Sequence, residues 1–341
     1  MNDSKNSNQK TAVVITSIAR PNIILKDLAK ECSNKGYHFI VIGDEDSPSD
    51  FHIEGCDFYS LERQRETGFK FAASCPTKHY ARKNIGYLLA IQNGASIIIE
   101  TDDDNFPLDT FWNSPVRRQK VPVLENHGWI NVYKFFTDEN IWPRGFPLEE
   151  IGKKNPRFES TETKQADCPI QQGLADDNPD VDAVYRLTQP LPQTFRKDRR
   201  IALTDGCWCP FNSQNTTWFS DVFSLLYLPA CCSFRMTDIW RSFIAQHIAH
   251  LNGWDVLFHE PTMTQQRNVH NLLRDFEQEI PGYLYNKKIV EALKALDLKP
   301  GIENIPDNLK ICYERIVSMS VVPKMELSLL DNWLEDFKGL D

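Results

Sequence analysis

Apolar residues are not scattered evenly along the first hundred positions. Residues 11–18 read TAVVITSI, a β-branched run without a polar face, which is the pattern of a strand buried on both sides. Pro21 follows at a helix start, and residues 23–35 carry apolar positions at helical spacing up to Gly36, a residue suited to closing a helix. Residues 39–44, FIVIGD, give a second buried strand. A loop rich in Asp, Ser and Pro leads to a helix expected over 79–92, with Ile85, Leu88, Leu89 and Ile91 on one broad face and Gly94 as the stop. Residues 96–100, SIIIE, are a third strand. Strands alternating with helices predict an α/β fold, a parallel sheet with helices on both faces. Beyond residue 106 the pattern loosens. A strand is expected over 129–136, long loops over the Pro-, Asp- and Gln-rich stretch 140–200, and an amphipathic helix over 238–251, where Trp240, Ile244, Ile248 and Leu251 share a face. Short helices dominate from 286 onward. The last, over 327–337, is acidic, which favours packing on the protein body over an anionic membrane. The chain is thus read as a disordered tail (1–10), one domain (11–285) and a helical C-terminal extension (286–341) packed on it.

Composition narrows the function. The 341 residues are 41% hydrophobic, enough for one large core with an appended part. The net charge is −9. The densest basic patches, Arg117, Arg118 and Lys120 and the stretch 196–200, are too short for a phosphodiester backbone, so no nucleic-acid partner is expected. No stretch of 18 apolar residues occurs, so no transmembrane helix is expected. The polar first ten residues do not resemble a signal peptide. Nine scattered cysteines point to reduced thiols and a cytoplasmic setting. Cys207, Cys209, Cys231 and Cys232 lack zinc spacing and read as core or loop thiols. Asn215 opens a glycosylation sequon, read as a chance match without secretion.

The strongest chemical signal is residues 100–105, ETDDDN, directly after the third strand. In open parallel sheets ligands collect at the carboxyl ends of strands. Three adjacent carboxylates repel one another and call for a cation or a helix N-terminus. Carboxylate oxygens suit a hard divalent ion that also binds substrate phosphates. In an extended segment Asp102 and Asp104 face one side, so they are the candidate ligands, with Asp103 beside them on the nucleotide. The alternative is an acidic surface loop in which Asp104 or Asn105 caps a turn. Thr16, Ser17, Arg20 and Asp44, at or after the ends of the first two strands, open onto the same rim as candidate nucleotide contacts.

Three further segments carry weaker signals. Residues 79–84, HYARKN, start the helix before the acidic strand. There Arg82 and Lys83 can counter a pyrophosphate and Asn84 can hydrogen-bond a base or ribose; a solvated helix face is the plain alternative. Basic residues at a helix start oppose the macrodipole, a cost that a bound anion relieves. Residues 235–241, RMTDIWR, place Asp238 at a helix start. It is either a dipole partner behind a Thr237 cap or a general base for an attacking hydroxyl. Near the end of the domain, His270 is a candidate to complete the metal sphere and Arg267 to hold a phosphate.

The ordered segments TSIARPN, IVIGDEDSP, HYARKNIGYLLAI, ETDDDN and RMTDIWRSFIAQ resemble the STELLO-type glycosyltransferase family. A looser resemblance links ETDDDN, the segment 177–183 and Thr237 to Trp240 to the reversibly glycosylated polypeptides, which are UDP-arabinopyranose mutases. The resemblance spans about residues 11–285. It implies a GT-A fold (a Rossmann-like sheet), a nucleoside-diphosphate sugar donor such as a UDP-sugar, Mn²⁺ or Mg²⁺, and a hydroxyl acceptor such as a glycan. It implies Asp102 to Asp104 as the metal motif and Asp238 as the acceptor-side carboxylate. Plant STELLO proteins sit in the Golgi membrane, so the compartment does not carry over to a chain without an apolar span. A glycosyltransferase is therefore the leading expectation. The rivals are a nucleotide-sugar mutase, an inactive scaffold that binds a partner enzyme, and a nucleotidyltransferase. The last is disfavoured because residues 16–21 lack a glycine-rich phosphate loop.

Overall fold

The computed structural model describes residues 9–266 and 271–340. Most of the tail read as disordered, residues 1–8, lies outside them. The three strands and two helices expected in the first hundred residues all form, and the stretch read as a loop between them holds a further short strand and two short helices. Strands β1 (Thr11–Thr16), β2 (His38–Ile42), β3 (Asp57–Tyr59) and β4 (Ile97–Thr101) and helices α1 (Ile23–Lys35), α2 (Leu61–Arg65), α3 (Lys70–Ser74) and α4 (Lys83–Gln92) run in the order β1-α1-β2-β3-α2-α3-α4-β4. The four strands lie in the order β3-β2-β1-β4, all parallel. Helix α1 starts at Asn22, whose Oδ1 accepts the Leu25 N–H at 2.8 Å, and ends at Gly36 in the left-handed region (φ 68°). The cap beside Pro21 is therefore an Asx cap, and Gly36 supplies the conformation that other residues resist.

Period-two alternation along the strands sends side chains to two layers. Val13, Ile15, Val41, Ile97 and Ile99 pack with Leu25, Leu28 and Ala29 of α1. Ala12, Val14, Ile40, Ile42 and Ile98 pack on the opposite face with Ile85, Leu88 and Leu89 of α4. Helices cover both faces, as expected. Gly86 is where α4 approaches β1 most closely: a Cβ there would lie 2.5 Å from Val14 Cγ1, so only hydrogen fits.

After β4 the sheet is mixed rather than parallel. The later strands are β5 (Asn105–Pro107), β6 (Arg118–Leu124), β7 (Gly128–Trp129), β8 (Thr163–Asp167), β9 (Ile170–Asp176), β10 (Arg200–Leu203), β11 (Cys207–Trp208), β12 (Asn215–Phe219) and β13 (Val256–Gln265). The large sheet continues β4-β12-β9-β13-β10-β6-β8, with β5 on β13 and with β12 antiparallel to both β4 and β9; β7 and β11 pair separately. Two expectations need correction. The strand read over 129–136 is only β7 followed by a 3₁₀ turn, Val132–Phe135. The loop region 140–200 holds β8, β9 and α5 (Ala183–Thr188). Strand β9 reads IQQGLAD and is buried throughout. Its glutamines hid it, because their amides are satisfied inside: Gln171 Nε2 donates to Val116 O and Cys168 O, and Gln172 Nε2 to Asn215 O.

Helix α6 (Thr237–Leu251) has the expected face but not the expected cap: Thr237 is its first residue, and Met236 precedes it without a side-chain cap. Buried ion pairing ties α6 to β4. Arg241 reaches Glu100 through both oxygens at 2.9 and 2.7 Å, and Trp218 Nε1 donates to the same carboxylate at 2.8 Å. Glu100, although part of the acidic run, thus faces the core and not the rim. Helices α7 (Leu272–Lys294), α8 (Ile305–Ser318) and α9 (Glu326–Lys338) follow. Leu293, Ile305, Leu309, Tyr313, Leu330 and Trp333 join the α4 and α6 core. Helix α7 runs through positions 285 and 286, the expected domain boundary. All nine cysteines are free, with Cys207 and Cys209 buried as core thiols. Asn215 is buried in β12, consistent with a chance sequon. Among the described residues no helix is long and apolar enough to cross a membrane.

Candidate functional site

The strand ends open into a cavity of about 390 Å³. Thr16 and Ser17 reach it after β1, Gly43 and Asp44 after β2, and Asp102, Asp103 and Asp104 after β4. Phe234, Arg235 and Asp238 enter from the start of α6, and Arg144 and Asp180 from the middle of the chain. The acidic triplet and the carboxylate of α6, about 135 residues apart in sequence, therefore share one space.

Each aspartate of the triplet has its own partner. Tyr80 OH donates to Asp102 Oδ1 at 2.7 Å and Lys83 Nζ reaches the same oxygen at 3.1 Å. Ser17 Oγ donates to Asp103 Oδ2, and Asn22 Nδ2 donates to the Asp103 carbonyl at 3.1 Å. Burial raises the Asp103 pKa, with the Ser17 hydrogen bond opposing and the Asp102 charge adding to the rise. Gln265 Nε2 donates to both oxygens of Asp104 at 3.2 Å, and the Gln266 N–H to its carbonyl at 3.0 Å. Strand β13 thus positions Asp104 through its last residues. Among the described residues no group of three His, Cys, Asp or Glu side chains converges as a metal cage. Arg267 and His270 lie outside the described residues.

Of three other residues read as nucleotide contacts, Arg82 borders the cavity, while Asn84 and Arg20 lie off its wall. Arg82 is buried, with Nε and Nη2 on Gln64 Oε1 (2.9 and 2.6 Å) and Nη1 on the carbonyls of Cys75 (2.9 Å) and Pro76 (3.3 Å). It borders the cavity, and four of its five N–H donors staple the 64–76 segment. Asn84 forms a two-way clamp with the Leu228 backbone, at 2.8 and 2.9 Å, and does not line the cavity. Arg20 is exposed beside Asp50 at 3.9 Å, off the cavity wall.

Lys83 differs from all three. Its Nζ is fully buried and donates to Thr101 O (2.6 Å), Tyr80 OH (2.7 Å) and Ser213 O (3.2 Å) as well as Asp102. It holds the triplet from behind instead of touching the cavity. Lys83→Ala is accordingly expected to destabilise the fold, by about 1–3 kcal/mol for each buried acceptor left without a donor. Urea unfolding checks this, and an unchanged midpoint would contradict it.

At the other end, Arg144 links two carboxylates. It reaches Asp238 through Nη1–Oδ1 (2.9 Å) and Nη2–Oδ2 (2.8 Å), and Asp180 Oδ1 through Nε (2.8 Å). Asp238 Oδ2 also accepts from Ser213 N and Oγ, each at 3.2 Å. Burial would raise the Asp238 pKa, but the charge and hydrogen bonds of Arg144 outweigh it and hold it at about 2. Oδ2 already accepts from three donors while Oδ1 serves one, so Oδ1 retains capacity for a hydroxyl.

Sequence reasoning passed over several of these groups. Tyr80 lies inside the HYARKN segment and Asp180 inside 177–183, so both had a visible context. Arg144, in the Pro-flanked WPRGFP, and Ser213, just before β12, had none. They reach the site only through long-range packing.

Residues 235–341 match the family model of the STELLO glycosyltransferases. Two Arabidopsis thaliana proteins are similar over most of the chain. "Probable glycosyltransferase STELLO2" is 32% identical over 270 residues, 74% of this chain and 35% of its own. "Probable glycosyltransferase STELLO1" is 32% identical over 269 residues, 73% of this chain and 34% of its own. The chain thus spans about a third of the length of these relatives. A solved mycobacterial protein covers 93% of this chain and 77% of its own at 10% identity and a TM-score of 0.41.

Proposed function

We propose that this chain, which carries the domain of the STELLO glycosyltransferase family, moves a sugar from a nucleoside-diphosphate donor, a UDP-sugar, to a hydroxyl acceptor with the help of a divalent cation. One observation carries the reading: Asp102 and Asp104 at the end of β4 and Asp238 at the start of α6 face a single cavity. That volume lies within the range of small-molecule sites.

The residues fit a hard cation. Mg²⁺ and Mn²⁺ are commonly held by one or two carboxylates together with substrate phosphates instead of a full protein cage. Asp102 and Asp104 would hold the ion, and when bound it would supply Lewis-acid stabilisation of the diphosphate leaving group. The chain's own groups do the rest. Lys83 and Tyr80 fix the Asp102 carboxylate, and Gln265 fixes Asp104. Thr16, Ser17 and Asp44 border the nucleoside end, with Asp103 anchored to Ser17. Asp238 Oδ1 accepts the proton of the acceptor hydroxyl while Arg144 and Ser213 hold the carboxylate in place. A scaffold without activity has no use for this arrangement of oriented carboxylates around a cavity.

Calorimetry with UDP tests the reading directly. Affinity is expected to rise at least tenfold with Mn²⁺ over chelator, about 1.4 kcal/mol, and Asp104→Ala is expected to remove most of that gain. Equal affinity with and without Mn²⁺ would sink the proposal.

A further inference from the structure

Helix α7 is built inside out along its first half. Its buried side is polar. Glu279 accepts from Arg235 Nε (2.9 Å), the Ala183 N–H (2.7 Å) and Tyr283 OH (2.6 Å), while Asn286 bonds Trp240 Nε1 (2.9 Å) and Gly145 O (2.8 Å). Its outer side is apolar: Leu273 is 71% exposed, Leu284 57%, Ile280 39% and Phe276 37%. A surface helix of a globular protein ordinarily turns its apolar stripe inward, and contiguous exposed apolar residues mark interaction surfaces.

The stripe itself says what covers it. At 3.6 residues per turn, Leu273, Glu277, Ile280, Leu284, Lys288 and Glu291 fall along one line. Read backwards, this line is nearly its own complement. A two-fold axis close to Gly282, with the helices antiparallel, sets Ile280 opposite the second copy's Leu284 and Glu277 opposite the second copy's Lys288. At the ends of the line Leu273 meets the aliphatic stem of the second copy's Glu291, with Arg274 one residue further along. Every such contact occurs twice, as an isologous interface requires. Glu277, Lys288, Arg274 and Glu291 are all exposed. A neutral or acidic partner would match the apolar centre but not the alternating charges.

We propose that this chain self-associates through antiparallel pairing of its α7 helices. A lone helix pair covers less than the roughly 1,200–2,000 Å² of a standard interface, so the affinity lies in the micromolar range rather than the nanomolar.

Sedimentation equilibrium on the purified chain tests this, with circular dichroism to confirm the fold of each variant. Ile280→Glu is expected to weaken dimerisation at least tenfold, and Glu277→Lys to weaken it by setting like charges against each other. The double swap Glu277→Lys with Lys288→Glu is expected to restore it, which a merely sticky surface would not do. A chain that stays monomeric up to about 100 μM, an association indifferent to Ile280→Glu, or a double swap that fails to rescue would each overturn the proposal.

Discussion

Asp238→Asn is expected to lower turnover by about 10²–10⁴-fold, the usual contribution of a general base, while nucleotide affinity stays within a few-fold of the parent. The substitution keeps the shape and the Ser213 contact but takes away the proton acceptor. It also removes one anion from Arg144, which keeps Asp180 at 2.8 Å, so a modest loss of stability accompanies the kinetic defect. The two effects separate by measuring kcat and the unfolding midpoint on the same variant. The pH profile adds an independent constraint. The folded pKa of Asp238, about 2, lies below the usual Asp value of about 3.9. Its contribution to stability is therefore complete above pH ~4 and is lost as pH falls through ~2. Arg144 keeps this group ionised at every ordinary working pH, at the expense of basicity. The kcat/KM profile should accordingly show no acid limb from Asp238 between pH 5 and 8. Turnover within tenfold of the parent would return Asp238 to a purely positioning role beside Arg144.

The second large effect is on folding. Glu100→Ala is expected to cost about 3–5 kcal/mol, because it strands the buried Arg241 guanidinium without its partner. Glu100 and Arg241 are both essentially inaccessible to solvent, so water cannot compensate. The double variant Glu100→Leu with Arg241→Met should recover most of the loss, since well-packed apolar replacements of a buried pair are often neutral. Urea denaturation of the three proteins decides the matter. A single variant as stable as the parent would show that water reaches the pair.

These two residues also show how much was legible beforehand. Asp238 was visible because a carboxylate at the start of an amphipathic helix is a local pattern. Its partner Arg144 was not, because nothing within a few residues of it signals a contact 94 positions away. Glu100 was counted with the acidic run, but strand alternation turns it to the opposite side from Thr101 and into the α6 core. The first βαβαβ stretch was readable because both of its strand faces are apolar. Strand β9 was not, because buried amides look like loop residues until their partners are known. Strand β12 hid for another reason. It runs antiparallel beside β4, with Asn215 opposite Thr101, so the residues before its start, and not those after its end, meet the rim. Ser213 and Gln214 reach the cavity that way, where a rule about carboxyl ends does not look. Arg82, Lys83 and Asn84 were found as a group, but their interior partners were not legible: Arg82 borders the cavity, while Lys83 and Asn84 make buried contacts behind it. Those partners come from distant segments: 64–76 for Arg82, Thr101 and Ser213 for Lys83 and Leu228 for Asn84.

The Lys83 ammonium beneath Asp102 has one more implication. Bringing three carboxylates together is unfavourable, and in many ion sites the arriving cation must do that work. Here folding has already done part of it, since a buried cation, a tyrosine hydroxyl and a glutamine amide hold two of the three side chains before any ligand is present. The site is preorganised. If the proposed function holds, less of the interaction energy of an ion and a diphosphate would be diverted into ordering the loop, and more of it would be left to discriminate among donors and to favour the transition state.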